Sequence, residues 1–159
     1  MNNKIPERTS KGTADVPRRL KVINRKQLHA VLATLSGRRP YTSLVAFALT
    51  PDTRYVLFAT PKKTQKYRNI VKNKNVSLLM NTAKNTSKDY KNAEAVTIQG
   101  KAHTVRKGRK RRELAGVLAG KHPDLELFIN SATTALVMVE AEYCVHVNSF
   151  QQVTEWRFT

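Results

Sequence analysis

Cysteine is almost missing from this chain: Cys144 stands alone, which excludes an internal disulfide framework. Its apolar surroundings mark it as a small core residue rather than a nucleophile. Acidic residues are also scarce, 11 Asp and Glu against 29 Lys and Arg. They are too scattered to offer a paired general acid and base. No apolar run is long enough to span a bilayer, so no membrane partner is expected. The opening residues Met1 to Arg8 carry charge with no apolar segment behind them, which argues against a secretory signal and for a cytoplasmic location. Aromatics make up only 7% of the residues, and none is interleaved with a basic run, so a base-stacking platform is lacking. His29, His103, His122 and His146 are far apart without metal-ligand spacing, so no metal site is expected. Each reads as a core or surface histidine. Ser43, Ser77 and Ser131 lack the strand-to-helix elbow of a nucleophilic serine. No catalytic residue can be assigned on these grounds.

What the chain does have is positive charge, a net +18. It is concentrated in the amino-terminal segment (Lys4, Arg8, Lys11, Arg18, Arg19, Lys21, Arg25, Lys26) and in Arg106-Lys-Gly-Arg-Lys-Arg-Arg112. Such runs attract phosphodiester backbones by counterion release, and attract any other anion as well. Solubility and steering of an anionic substrate is the plainer account. A basic nucleic-acid-binding module is the alternative. A chain of 159 residues with 40% hydrophobic residues can bury one core. Residues 1–17 are polar and aperiodic and are expected to form a loose basic arm. Residues 18–159 then make a single domain.

Hydrophobic patterning gives the order of elements. Leu28, Val31, Leu32 and Leu35 form a helical stripe over about 25–35, with Asn24 and Gln27 in the manner of a capping box. Tyr41 to Leu49 reads as a strand and Thr50-Pro-Asp-Thr53 as a hairpin turn, so the strand from Tyr55 returns antiparallel. Strands follow at Val76 to Met80 and at about 93–105, separated by the polar stretch 81–92. Gly100 inside the second of these suggests a bulge or a close backbone approach. Helices are expected over Lys110 to Ala119, ended by Gly120, and over Pro123 to Ile129. In the long strand Thr134 to Val147, strict alternation puts Ala135, Val137, Val139, Ala141, Tyr143, Val145 and Val147 on one face. Gln152 to Phe158 closes the chain as a short strand. The class is mainly β (α+β): about six antiparallel strands in a small barrel with flanking helices.

The densest signal lies between Tyr55 and Met80. Apolar residues 55–59 make a buried strand that Thr60 and Pro61 end. From Thr64 a helix carries Tyr67, Ile70 and Val71 at helical spacing. Lys62, Lys63 and Lys66 cluster where that helix begins, at the positive end of its dipole. Cations there are unfavourable by roughly 0.3–1 kcal/mol each unless an anion is bound among them. With helix-start amides and the hydroxyls of Thr60 and Thr64, they make a phosphate cup.

The pattern F-x-T, a Lys-rich helix start, then N-I-x-x-N-x-x-V-S-L resembles the pyridoxamine 5′-phosphate oxidase-like FMN-binding split barrels. The resemblance is ungapped from Phe58 to Leu78 and extends to Tyr41-Thr-Ser-Leu-Val-Ala-Phe47 and Ala95-Val-Thr-Ile-Gln-Gly-Lys-Ala102. It implies a six-stranded antiparallel split barrel that binds FMN in a groove between the subunits of a homodimer. Thr60, Thr64, Gln65 and Lys66 fall on cofactor-contacting positions, and Thr42, Ser43, Leu44 and Val45 would run beside the ring. Several relatives place an arginine where Gln65 stands, so the clamp would lean on Lys66 with Lys62 or Lys63. Trp156 either covers the flavin ring or anchors a terminal strand. Vitamin-oxidising relatives carry an arginine where Thr42 or Ser43 stands, and an R-x-H element near the carboxy-terminus where this chain has Trp156-Arg-Phe-Thr159. Both departures point away from pyridoxamine-phosphate oxidation. The resemblance therefore implies an FMN-dependent oxidoreductase of flavin-reductase or nitroreductase type, with a nicotinamide cofactor as one candidate donor. The alternative on the same fold is a non-catalytic flavin- or haem-binding protein.

Overall fold

A computed structural model describes residues 14–148 and 152–159. The amino-terminal arm expected over residues 1–17 lies mostly outside the described residues. Its last residues do not: helix α1 spans Val16–Lys26, started by the Asp15 side chain, which accepts from the Arg18 N–H, and by a proline in the first turn. The helix expected at about 25–35 is therefore misplaced. Residues His29–Ser36 form strand β1, in which Ala30, Leu32 and Thr34 are buried while Leu28 is 53% exposed. The leucine spacing imitates a helical stripe, but the period-2 set is the one that meets the core. Asn24 caps nothing: from within α1 its Oδ1 accepts from the Leu49 N–H at 2.9 Å and from Lys121 Nζ at 3.1 Å.

Strand β2 (Arg39–Leu49) pairs with β1 and with β3 (Tyr55–Pro61). Thr60 and Pro61 are the last two residues of β3, as expected, and still pair with Ala135 and Thr134. Helix α2 (Gln65–Lys72) and strand β4 (Asn75–Asn81) follow, then the short α3 (Asp89–Asn92) within the polar connection. Strand β5 (Ala95–Thr104) leads to α4 (Arg109–Lys121), which runs through Gly120 instead of stopping there. A 3-10 turn at Pro123–Leu125 precedes α5 (Glu126–Ile129). The long β6 (Thr134–Asn148) and β7 (Gln152–Arg157) complete the chain.

The sheet order is β3-β2-β1-β4-β5-β6-β7, and β3 also pairs with β6. Six strands thus close into an antiparallel barrel, with β7 added to the outside of β6. Leu32, Phe47, Phe58, Leu78, Met80, Ile98 and Val137 fill the interior, and Val16, Leu20 and Ile23 of α1 close it. Outside, α4 and α5 cover β2, β3 and β6 through Ala48, Leu57, Leu118, Ile129 and Leu136. On the rest of the outer surface Leu44, Val31 and Leu79 stand in register across β2, β1 and β4. Leu44 is 65% exposed there.

β6 does not keep one alternation. Gln99 pairs with Tyr143 and Gly100 with Ala141, so Glu142 is an extra residue and the phase flips at it. Ala135, Val137, Val139 and Ala141 are buried before the bulge, and Cys144 and His146 after it. Tyr143, Val145 and Val147 move to the outer, half-buried face. A Cβ on Gly100 would lie 2.0 Å from the Glu140 carbonyl oxygen, which explains the glycine opposite the bulge.

Candidate functional site

Where β2 and β3 part, their ladder ends at Phe47 and Phe58. Beyond that point β3 keeps only its pairing with β6, and the start of α2 sits at the opening. Thr64 is the residue that begins the helix: its Oγ1 accepts from the Tyr67 N–H at 3.4 Å and lies 2.8 Å from Thr60 Oγ1. Thr60 is buried, so the hydroxyl pair is a fixed point beneath the turn. The N–H groups of Gln65 and Lys66, in the first turn, have no intrahelical acceptor. No acidic residue stands in that turn. The structure thus sets Thr60 and Thr64 in contact, with Gln65 and Lys66 in the turn that follows and Lys62 and Lys63 in the loop before it.

The side chains divide the work differently from the sequence reading. Gln65 is engaged on the barrel side, its Nε2 donating to Asn69 Oδ1 at 2.7 Å. Asn69, itself buried, donates to Thr34 Oγ1 at 3.0 Å. Arg68 folds back over the start of the helix: its Nη2 donates to Gln65 Oε1 at 2.9 Å and its Nη1 to the Lys63 carbonyl at 2.6 Å. Lys62 Nζ donates to the Ala132 carbonyl at 3.2 Å. Arg68, Asn69 and Thr34 were missed in the sequence. The three-residue spacing of Gln65 and Arg68 was the available signal.

Of the β2 residues, Ser43 and Val45 pair with the buried Leu32 and Ala30 and face inward. Thr42 and Leu44 face outward. Among the described residues Ser43 Oγ is buried without a hydrogen-bond partner. Trp156 is not near the cup within one chain. It pairs with Cys144, whereas Thr60 pairs with Ala135, roughly 30 Å back along β6.

Beside the cup opens a cleft of about 310 Å³, lined by Lys62, Tyr67, Arg106, Lys107 and Arg111 among others. Elsewhere, His122 is buried with Nε2 donating to the Phe47 carbonyl at 2.8 Å. His146 is also buried, its Nε2 2.7 Å from Glu94 Oε2. His29 is exposed and His103 half-buried. Among the described residues no three His, Cys, Asp or Glu side chains cluster as for a metal ion. Burial pushes the Cys144 thiol up to about 12, so it is the inert core residue expected. No helix of the described residues is long and apolar enough to cross a membrane.

Residues 17–141 match the family model described as pyridoxamine 5′-phosphate oxidase. No curated protein matches this chain in sequence. Among solved structures, the chain is similar to a heme binding protein from Mycobacterium smegmatis (TM-score 0.80, 14% identity, 91% of this chain and 58% of that one). It is also similar to HutZ, the heme storage protein from Vibrio cholerae (TM-score 0.67, 15% identity, 79% of this chain and 89% of that one). A third is a putative pyridoxamine 5′-phosphate oxidase from Listeria innocua (TM-score 0.66, 15% identity, 85% of this chain and all of that one). The chain spans less than two thirds of the Mycobacterium smegmatis protein. At these identities the likeness is one of fold.

Proposed function

The chain belongs to the pyridoxamine 5′-phosphate oxidase family, and from that premise we propose that it is a binding protein for a planar anionic cofactor, FMN in the first place. The cup at the start of α2 carries this reading. Paired hydroxyls and first-turn amides without intrahelical acceptors meet there, with Lys63, Lys66 and Arg68 next to them in the chain and no acid in the first turn. In this reading Thr64, Lys66 and the Gln65 and Lys66 amides hold the phosphate. The outward Thr42 hydroxyl and the backbone of residues 42–45 meet the polar edge of the ring. The outward Thr42 and Leu44 face a second copy of the chain, so that the site is completed in a homodimer. Trp156 belongs to this site only if it is delivered by that partner.

A bound flavin supplies redox chemistry of its own, while the protein orients it and sets its electrostatics. The cup residues are hydroxyls, amides and cations, suited to holding an anion rather than to passing protons at neutral pH. Holding the cofactor is therefore favoured over a flavin-dependent oxidoreductase with a nicotinamide donor. Thr42 and Ser43, standing where oxidising relatives have an arginine, argue against pyridoxamine-phosphate oxidation. Haem is the second reading, favoured by the fold shared with a heme binding and a heme storage protein. It would need His29 or His103 as an axial ligand, because His122 and His146 are engaged inside.

Absorbance titration of the purified chain with FMN, riboflavin and haemin tests this. FMN should bind at least about tenfold more tightly than riboflavin, and Thr64→Ala with Lys66→Ala should erase the difference. Equal affinity for the two flavins overturns the phosphate cup. Tight haemin binding abolished by His29→Ala or His103→Ala, with weak FMN binding, replaces flavin by haem.

A further inference from the structure

The cleft beside the cup has no part in holding the flavin, and its chemistry is unusual even for so basic a chain. Lys62 stands on one wall, two residues before the Thr64 that begins α2. Arg106 and Lys107 stand on the other, just before Gly108 begins α4, and Arg111 follows in the first turn of that helix. The segments that lead into the two helices therefore border one opening of about 310 Å³. Neither helix has an acidic residue in its first turn, and α4 has no side-chain cap. Among the described residues no carboxylate lines the cleft.

Two of the four cations are held in place by the opposite wall. Arg111 Nη2 donates to the carbonyls of Ile129 (3.1 Å) and Thr134 (3.4 Å), and Lys62 Nζ to that of Ala132. The Tyr67 hydroxyl, 3.2 Å from Thr104 Oγ1, fixes the ring along a third side. Tyr67 lies about 200° around α2 from Gln65, so the cleft opens on the flank of the helix away from the Gln65 side chain, with the Tyr67 ring also packed against the barrel core.

We propose that this cleft is a second anion site that takes the diphosphate or triphosphate group of a small nucleotide-like ligand. A single phosphate carries at most about two negative charges, and two linked phosphates about three or more, which is the better match for four converging cations. The volume lies at the lower end for small-ligand pockets and suits a compact polyanion. The assignment does not rest on flavin being the occupant of the cup.

Calorimetric titration of the full chain with inorganic orthophosphate, pyrophosphate and tripolyphosphate is the test. Pyrophosphate and tripolyphosphate should bind at least about tenfold more tightly than orthophosphate. Arg106→Gln with Lys107→Gln, exposed rim residues that no fold contact depends on, should weaken pyrophosphate at least about tenfold. Arg111→Gln should do likewise, with thermal melting to show that it folds. Lys21→Gln with Arg25→Gln, removing equal charge from α1, should change affinity less than about twofold, and Thr64→Ala with Lys66→Ala should leave it intact. Equal binding of ortho- and pyrophosphate, or equal loss in the α1 control, would reduce the cleft to diffuse surface charge and overturn the proposal. Stoichiometric displacement of pyrophosphate by FMN would merge the cleft with the cup and overturn it too. So would an unphosphorylated oligonucleotide whose binding the rim variant weakens more than that of pyrophosphate.

Discussion

Glu94 is where α1 is fastened to the barrel. Its carboxylate accepts from Arg19 Nη2 at 2.6 Å and Nε at 2.9 Å, and from the buried His146 at 2.7 Å. Burial pushes this carboxyl up, but the bonds from Arg19 and His146 outweigh burial and hold it below its ordinary 4.5. The unfolded chain therefore takes up the proton first as pH falls. The stability Glu94 contributes is complete above about 4.5 and is lost as pH drops through the lower native value. Glu94→Gln should cost about 2–3 kcal/mol at pH 7, less than a fully buried pair because Arg19 reaches solvent. It should also flatten the acid side of the stability curve; guanidinium unfolding at pH 7 and pH 3 reads both. Lys121 has the opposite sign. Burial lowers it to about 8, with its ammonium 3.7 Å over the Phe47 ring. Between about 8 and its ordinary 10.5 the unfolded chain binds more protons, so stability rises with pH across that window. Lys121→Met should abolish this rise and stabilise the chain at pH 7, as urea midpoints at pH 7 and pH 10 will measure.

Among the elements, the paired strands β5 and β6 show how one residue resets a pattern. The bulge at Glu142 moves Cys144 and His146 into the core, and it forms because Gly100 lets the Glu140 carbonyl come close. Gly100→Ala must push backbone apart, since the contact at 2.0 Å is with a peptide oxygen rather than a flexible side chain. It should destabilise by about 3 kcal/mol, measured by chemical denaturation, and a cost under about 1 kcal/mol would mean the strands separate freely. α2 behaves as its sequence says, starting at Thr64 and ending before Asn73. β1 does not. Leu28, Val31, Leu32 and Leu35 satisfy a helical period, and only the partners on either side, β2 and β4, select the alternation that buries Ala30, Leu32 and Thr34.

At the scale of the whole molecule, one face of the barrel carries no helix among the described residues. Leu44, Val31 and Leu79 stand in register across β2, β1 and β4, beside the outward Thr42. In the homodimer reading this face meets the second copy, and the cofactor lies at its edge. Leu44→Lys, at a position 65% exposed in the single chain, should leave folding unchanged within about 0.5 kcal/mol. It should convert a dimer to a monomer in sedimentation equilibrium and weaken FMN binding with it. A dimer that persists would move the interface elsewhere.

By itself the sequence determined what depends on neighbours along the chain. The hairpin at Thr50 to Thr53, the start of α2, the hydroxyls and lysines of the cup and the glycine at the β5 bulge all follow from turn chemistry, helix-start preferences and local charge. Only the tertiary structure decided which of two competing periods β1 obeys, that β6 changes phase at Glu142, and that Arg68 folds back onto the Gln65 side chain. It also decided that Arg106, Lys107 and Arg111 meet Lys62 across a cleft. The reason is physical: burial and charge convergence are properties of surfaces brought together in space. The sequence run from Arg106 to Arg112 looked like solvated charge until α4, α5 and β6 folded it against the start of α2.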